Sequence, residues 1–157
     1  MKTKTTPIYI FDLDGTLALI EHRRHFVEGK VQRWDKFYAA CVADAPNPAV
    51  VTMFNLLLAS GATVLIFSGR GSEVRTQTLD WLVEHTDLDM PTANRILLMR
   101  AEKDYTPDDK LKRDWYEQVL NDDDRKRLVA IFDDRDKVVK MWRGMGLTCF
   151  QVAPGAF

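Results

Sequence analysis

The chain has 157 residues, 46% of them hydrophobic and 29% charged, which suits one compact domain with a buried core and leaves little room for two. Its formal net charge of -1 argues against a protein that grips nucleic acid by bulk electrostatics, a mode that needs a broad excess of Lys and Arg, but a nucleic-acid end stays open as a substrate. No apolar run approaches the roughly 20 residues of a membrane span, and Met1 to Pro7 is short and polar rather than a signal peptide, so a soluble, unexported, cytoplasmic protein is expected.

Ile8 to Phe11 is a short apolar run ending in Asp12-Leu13-Asp14-Gly15, the pattern of a buried strand entering a turn. Glu21 to Asp44 is less regular. There His22, Arg23, Arg24 and His25 precede a helix carrying Trp34, Phe37, Tyr38 and Cys41. Pro46 and Pro48 break the chain, and Pro48 suits the first turn of a helix through Val50, Val51, Phe54, Leu57 and Leu58 that stops at Gly61. Thr63 to Phe67 reads as a second buried strand ending in Ser68-Gly69-Arg70-Gly71, after which Ser72 is placed to cap a helix through Val74, Leu79, Trp81, Leu82 and Val83. Arg95 to Met99 reads as a third strand, Ala101 to Pro107 as a polar loop, and Asp108 to Leu120 as a helix with Leu111, Trp115, Tyr116 and Val119 inward. Leu128 to Phe132 is a fourth strand ending in Asp133-Asp134; a helix from Asp136 to Met145 stops at Gly146, and Thr148 to Val152 is a fifth strand.

Strands alternating with helices predict an α/β fold, a Rossmann-like doubly wound parallel sheet with ligands at the carboxyl ends of its strands. Cys41 and Cys149 share no close-spaced motif with each other or with a histidine and read as reduced core residues.

That carboxyl edge collects Asp12, Asp14, Ser68, Arg70, Asp133 and Asp134. Four carboxylates gathered there repel one another, so a hard divalent cation with oxygen ligands is the natural compensation, and magnesium suits a phosphate-handling site. In an extended segment, residues two apart point the same way, so both acids of Asp-x-Asp can face one substrate. One can attack phosphorus while the other moves protons to the leaving oxygen and from water. Gly15 permits a tight turn that brings backbone amides toward a phosphate.

Phe11-Asp12-Leu13-Asp14-Gly15-Thr16-Leu17, Ser68 after an apolar strand, and Asp133-Asp134 resemble the first, second and fourth motifs of the haloacid dehalogenase superfamily. The resemblance implies Asp12 as nucleophile, Asp14 as general acid and base, Ser68 as a hydrogen-bond donor to phosphate, and magnesium held by Asp12, the backbone carbonyl of Asp14, and Asp133, with Asp134 close by. The family's third motif is a lysine. Lys110 and Lys112 compete for it, and Lys112 is preferred because it lies one helical turn from Asp108.

Beyond the superfamily, Asn47-Pro48-Ala49-Val50-Val51, Ser68-Gly69-Arg70, Asp108-Asp109 with Lys112, Asp133-Asp134-Arg135, Val138 to Arg143 and Gln151 to Phe157 resemble the 3'-phosphatase domain of phage-type polynucleotide kinase. This implies removal of 3'-phosphates from nucleic-acid ends or nucleotides, with Arg23, Arg70 and Gly69 as the substrate-binding set and Arg24 as an alternative to Arg23. A guanidinium can pair with phosphate in a forked geometry without needing deprotonation. His22 and His25 read as surface residues. No Gly-x-x-x-x-Gly-Lys-Ser/Thr loop is present, so a phosphatase without a kinase half is expected, possible association being with a separate kinase or ligase.

Glu21 to Asp44 is longer than its counterpart, and residues 19–46 suit a small helical cap insertion on a single domain spanning 1–157. Its aromatics among cations could stack on a base, although at this spacing they read first as a helix's packing face. Two alternatives stay open: a general small-molecule or 5'-nucleotide phosphatase, and a non-catalytic phospho-receiver module. Asp14 and the two arginines speak against the receiver.

Overall fold

The computed structural model describes residues 5–157, so residues 1–4 of the polar stretch before the first strand lie outside the described residues. The chain runs β1 (Ile8–Phe11), β2 (Ala18–Leu19), α1 (Trp34–Ala39), β3 (Ala45–Pro46), α2 (Pro48–Ala59), β4 (Thr63–Gly71), α3 (Arg75–His85) and α4 (Met90–Ile96). It continues through β5 (Leu97–Arg100), α5 (Asp108–Val119), α6 (Asp122–Arg127), β6 (Leu128–Asp133), α7 (Asp136–Gly144) and β7 (Cys149–Gln151).

β1 sends Ile8 and Ile10 into one apolar core and Phe11 into another, so both of its faces demand cover and the strand takes the middle of a sheet. On the Phe11 side lie Phe54 of α2, Trp81 and Leu82 of α3 and Ala93 of α4; on the other lie Tyr116 of α5 and Val138, Val139 and Trp142 of α7. Phe11 meets Phe54 edge-on at 5.0 Å and stacks on Phe132 at 4.4 Å, fixing β1 against β6 and α2 together. Among the described residues the main sheet has five strands in the order β5-β4-β1-β6-β7, all parallel. This is the expected doubly wound α/β architecture. The chain moves outward from β1 through β4 to β5, then returns for β6 and β7, and the reversal opens a crevice at the carboxyl ends of β1 and β6.

β2 and β3 form a separate antiparallel pair, Ala18 opposite Pro46 and Leu19 opposite Ala45, that closes the base of the segment between them. The helix expected from Trp34 to Cys41 is split there: α1 ends at Ala39, and Cys41 lies in a 3-10 turn. The third strand is Leu97–Arg100 rather than Arg95 to Met99. The Asp89 carboxylate accepts the Thr92 N–H at 2.7 Å and Pro91 lies in the first turn of α4, which draws Arg95 and Ile96 into that helix. α6, not anticipated, opens on a reciprocal capping box between Asn121 and Asp124. Ser72 caps nothing; a 3-10 turn over Ser72–Val74 leads into α3. Cys41 and Cys149 are buried free thiols. No helix of the described residues is long and apolar enough to cross a membrane.

Candidate active site

Asp12 follows β1 directly, and its N–H donates to the Phe132 carbonyl at 2.9 Å, tying it to β6 at the crevice. Both of its carboxylate oxygens are held: Oδ2 accepts from Thr16 Oγ1 at 2.9 Å and Oδ1 from Lys112 Nζ at 2.7 Å. Lys112, buried on α5, also donates to Asp133 Oδ2 at 2.8 Å, whereas Lys110 is exposed. The helical-turn pairing of Asp108 with Lys112 is not what fixes the lysine. Asp108 is engaged by Arg100 and Arg135, and Lys112 turns to Asp12 and Asp133.

Asp12, Asp133 and Asp134 each offer a carboxylate oxygen, and these lie within 4.8 Å of one another. One lysine cannot balance three buried carboxylates. Burial first, then Asp133, pushes the Asp12 carboxyl well above its ordinary range, with Lys112 opposing. Burial and Asp133 push Asp134 up to about 7. For Lys112, burial works against the charged amine, yet Asp12 and Asp133 raise its pKa. The cluster is short of positive charge and rich in hard oxygen donors, a set that fits a divalent cation such as magnesium. Gly15, at φ +81°, is required here: a Cβ at that position would stand 2.0 Å from Asp134 Oδ2.

Asp14 points elsewhere. Its Oδ1 accepts from Arg23 Nη2 at 2.6 Å and from Arg70 Nε at 2.8 Å, so its carboxylate stays out of the Asp12–Asp133–Asp134 cluster. Burial alone would raise its pKa, but Arg70 and Arg23 outweigh that and hold it below the usual carboxylate range. The two arginines are completely buried and are spent on carboxylates. Asp44 takes Arg23 in a fork, from Nε at 2.7 Å and Nη2 at 2.6 Å, and accepts from Arg70 Nη2 at 2.8 Å. His22 is exposed, as expected, with its Nε2 lying 2.7 Å from the buried Asp44 Oδ1. Ser68 is also completely buried, with Oγ accepting the Arg70 N–H at 3.2 Å.

Asp44 is buried beneath two guanidiniums, so Asp44→Asn strips the network of one of its two negative charges. The substitution is expected to lower the unfolding free energy by about 3 kcal/mol or more. Urea denaturation reads it, and a loss below about 1 kcal/mol would mean that the network does not support the fold.

A cavity of about 680 Å³ opens over the acids. Asp12, Asp14, Asp133 and Asp134 line its floor together with Lys112; Gly69 lines it too, but Ser68, Arg23 and Arg70 are not among its lining residues. Its walls include Trp34, Phe37 and Tyr38 of α1 and the segment Arg100 to Asp108. Tyr38 donates to the Gly69 carbonyl at 3.1 Å and Arg100 Nε to the same carbonyl at 3.0 Å, joining the two walls at Gly69. Asp44 and Arg100 were not singled out from the sequence. Arg100 carried a usable signal, since it lies at a strand's carboxyl end as Asp12 and Asp133 do, but the expected strand stops one residue short of it, at Met99. Asp44 carried none, being a lone acid between alanines.

The chain matches over residues 6–157 a family model described as the polynucleotide kinase PNKP phosphatase domain. It is 27% identical over 143 residues to a protein of Autographa californica nuclear polyhedrosis virus described as a bifunctional polynucleotide kinase/RNA ligase, covering 90% of this chain but 18% of that one. A chain of the Pnkp1/Rnl/Hen1 complex superposes with a TM-score of 0.77 at 28% identity, covering 98% of this chain and 48% of its own length. The class C acid phosphatase from Bacillus anthracis shares the fold, with a TM-score of 0.66 at 16% identity over 99% of this chain and 69% of that one. The chain thus spans less than a fifth of the viral relative and about half of the Pnkp1/Rnl/Hen1 chain. The family match takes in all seven strands of the described residues and the whole carboxyl edge, and on it the chain belongs to the polynucleotide kinase phosphatase domain family, a haloacid dehalogenase-type phosphatase.

Proposed function

We propose that this phosphatase removes 3'-phosphates from nucleic-acid ends, RNA ends foremost, with Asp12 as an aspartyl nucleophile. The observation that carries the reading is Asp12 itself, at the sheet's switch point on the cavity floor with both oxygens pinned by Thr16 and Lys112. Lys112 lowers the cost of bringing a phosphate dianion to a carboxylate and stabilises charge on the phosphoryl oxygens. Asp12 forms a bond to phosphorus as the phosphorus–O3' bond breaks, and Asp14 passes a proton to the departing O3'. Because Arg70 and Arg23 hold Asp14 as a carboxylate, that first proton arrives with a substrate that enters as its monoanion. Water then attacks the aspartyl phosphate and gives its proton to Asp14, releasing phosphate and restoring Asp12.

Asp12, Asp133 and the Asp14 carbonyl would hold magnesium, with Asp134 beside them. When bound, it supplies positive charge to the phosphoryl oxygens and offsets the carboxylates. Arg23 and Arg70, proposed from the resemblance as phosphate ligands, are better supported as positioning residues that aim Asp14, with Asp44 beneath them. Gly69 lies on the cavity wall, where it can approach substrate, and Ser68 sits one residue deeper. Residues 19–46 form a small cap, supported by the β2–β3 pair at their base. The RNA preference and a working association with a kinase and a ligase rest on the names of the relatives, a polynucleotide kinase/RNA ligase and the Pnkp1/Rnl/Hen1 RNA repair complex.

Matched oligonucleotides bearing a 3'- or a 5'-phosphate, as RNA and as DNA, test the proposal beside a small aryl phosphate. Magnesium-dependent release from 3' ends, at least about tenfold faster than from 5' ends and abolished by a chelator, is the expected result. Release only from the aryl ester or the 5' end would discard the substrate assignment while keeping the phosphatase. Release unaffected by chelation would remove the metal.

A further inference from the structure

Of the aromatic rings that line the cavity, two are exposed, and the chemistry on the floor uses neither. Trp34 opens α1, and its ring meets Phe37 edge-on at 5.6 Å and a tilted Tyr38 ring at 5.9 Å, with Nε1 donating to Gln32 Oε1 at 3.2 Å. Phe37 beside it is 4% exposed and is a packing residue; Trp34 lines the cavity and is 39% exposed. Tyr105, in the polar loop after β5, lines the same cavity and is 88% exposed.

That loop is well tied, so the exposure of Tyr105 does not come from a slack chain. Arg100 Nη1 donates to the carbonyls on either side of the tyrosine, Asp104 at 3.1 Å and Thr106 at 2.5 Å. Asp104 Oδ1 accepts the Thr106 N–H at 2.9 Å and its hydroxyl at 2.6 Å. The guanidinium that holds the loop also bonds Gly69 and Asp108. A rigid loop that leaves a large ring in water forgoes the burial a tyrosine ordinarily obtains.

Charge excludes one kind of occupant. Among the described cavity-lining cations, Arg100 and Arg135 are paired with Asp108, Lys112 with Asp12 and Asp133, and Lys137 with Asp109, which leaves Lys103 as the one without an ion pair. Few positive groups are left to follow a phosphate backbone, so the non-reacting part of a substrate must be held by uncharged faces. A volume of about 680 Å³ suits a terminal nucleotide with part of its neighbour, not a duplex.

We infer that Trp34 and Tyr105 form a stacking site for the unpaired base of the 3'-terminal nucleotide, and so select a nucleotide end over other phosphate monoesters. This rests on the 3'-phosphatase reading. Every base has a π-face, so the selection favours the presence of a base without reading its identity.

The test compares kcat/KM for a 3'-phosphorylated single-stranded oligonucleotide with that for the same strand ending in an abasic 3'-phosphate, using the whole chain. For the unsubstituted protein the base-bearing end is preferred, and Trp34→Ala or Tyr105→Ala is expected to cut that preference about tenfold, mainly through KM. Trp34→Phe and Tyr105→Phe keep it. Tyr105 is so exposed that its loss cannot be ascribed to unfolding, and it decides the matter if Trp34→Ala disturbs α1. A preference unchanged by Tyr105→Ala, or a parallel fall on both substrates, overturns the stacking site. An unsubstituted protein that leaves both 3' ends intact while cleaving an aryl ester overturns the underlying reading instead, before any variant is made.

Discussion

Asp12→Asn is expected to reduce phosphate release by on the order of 10⁴-fold or more, because an amide cannot form the aspartyl phosphate. The same substitution is expected to leave the magnesium-free protein as stable as before or more so. Burial and Asp133 raise the pKa of Asp12 in the folded chain. A carboxyl whose folded-state pKa is raised favours folding only while protonated, and above its unfolded value of about 3.9 ionisation works against the fold. Asparagine keeps an acceptor for Thr16 and removes the charge that faces Asp133 and Asp134, while Lys112 retains Asp133. Thermal unfolding with and without magnesium reads the second half: the metal-linked rise in Tm shown by the parent should shrink in the variant. Substantial residual turnover would end the covalent mechanism, and a sharp drop in metal-free Tm would show that Asp12 is a structural residue.

The parts of this site that were legible in the sequence are those whose meaning is local. A buried strand ending in Asp-x-Asp-Gly-Thr carries its own address: strand period, sheet edge, tight turn. Asp12, Asp133 and Lys112 do meet, with Lys112 bonding both acids from a hundred residues and twenty-one residues away. The doubly wound α/β class needed only the alternation of apolar runs and helices, and the five strands fall where those runs do, with the third displaced because the Asp89 cap claimed Arg95 and Ile96 for α4.

The part that was not legible is the arrangement under the floor. Arg23 and Arg70 were placed at the substrate because a guanidinium near a phosphatase motif suggests a phosphate ligand, and the sequence offers no sign of what lies opposite them. Both are fully buried and paired with Asp14 and Asp44, which supports a positioning role instead. A fully enclosed guanidinium must find anionic partners inside the protein, and Asp44, which joins Asp14 in supplying them, is 21 residues from Arg23 and 26 from Arg70. The aromatic stretch of residues 34–38 divides in the same way: its spacing announces a helix, but only packing tells Phe37, which is buried, from Trp34, which is left open.

Asp14→Asn separates the two acids of the first motif more sharply than any other change. Turnover is expected to fall by about 10² to 10⁴-fold, the usual range for loss of a positioned proton-transfer group. Unlike Asp12→Asn, it should also destabilise. The buried set of Arg23, Arg70, Asp14 and Asp44 balances two positive charges with two negative ones, and the asparagine leaves one guanidinium charge without an opposite. Because Asp14 keeps 19% of its side chain exposed, water relieves part of that cost, and a loss of roughly 2 kcal/mol is expected rather than the full penalty of a sealed pair. Paired assays decide it: steady-state phosphate release and urea denaturation on the two asparagine variants, side by side. If Asp14→Asn loses activity with unchanged stability, the arginines are not spent on Asp14 and return as candidates for the phosphate. If it loses stability with unchanged turnover, Asp14 is a structural anchor and the proton must be moved by another group.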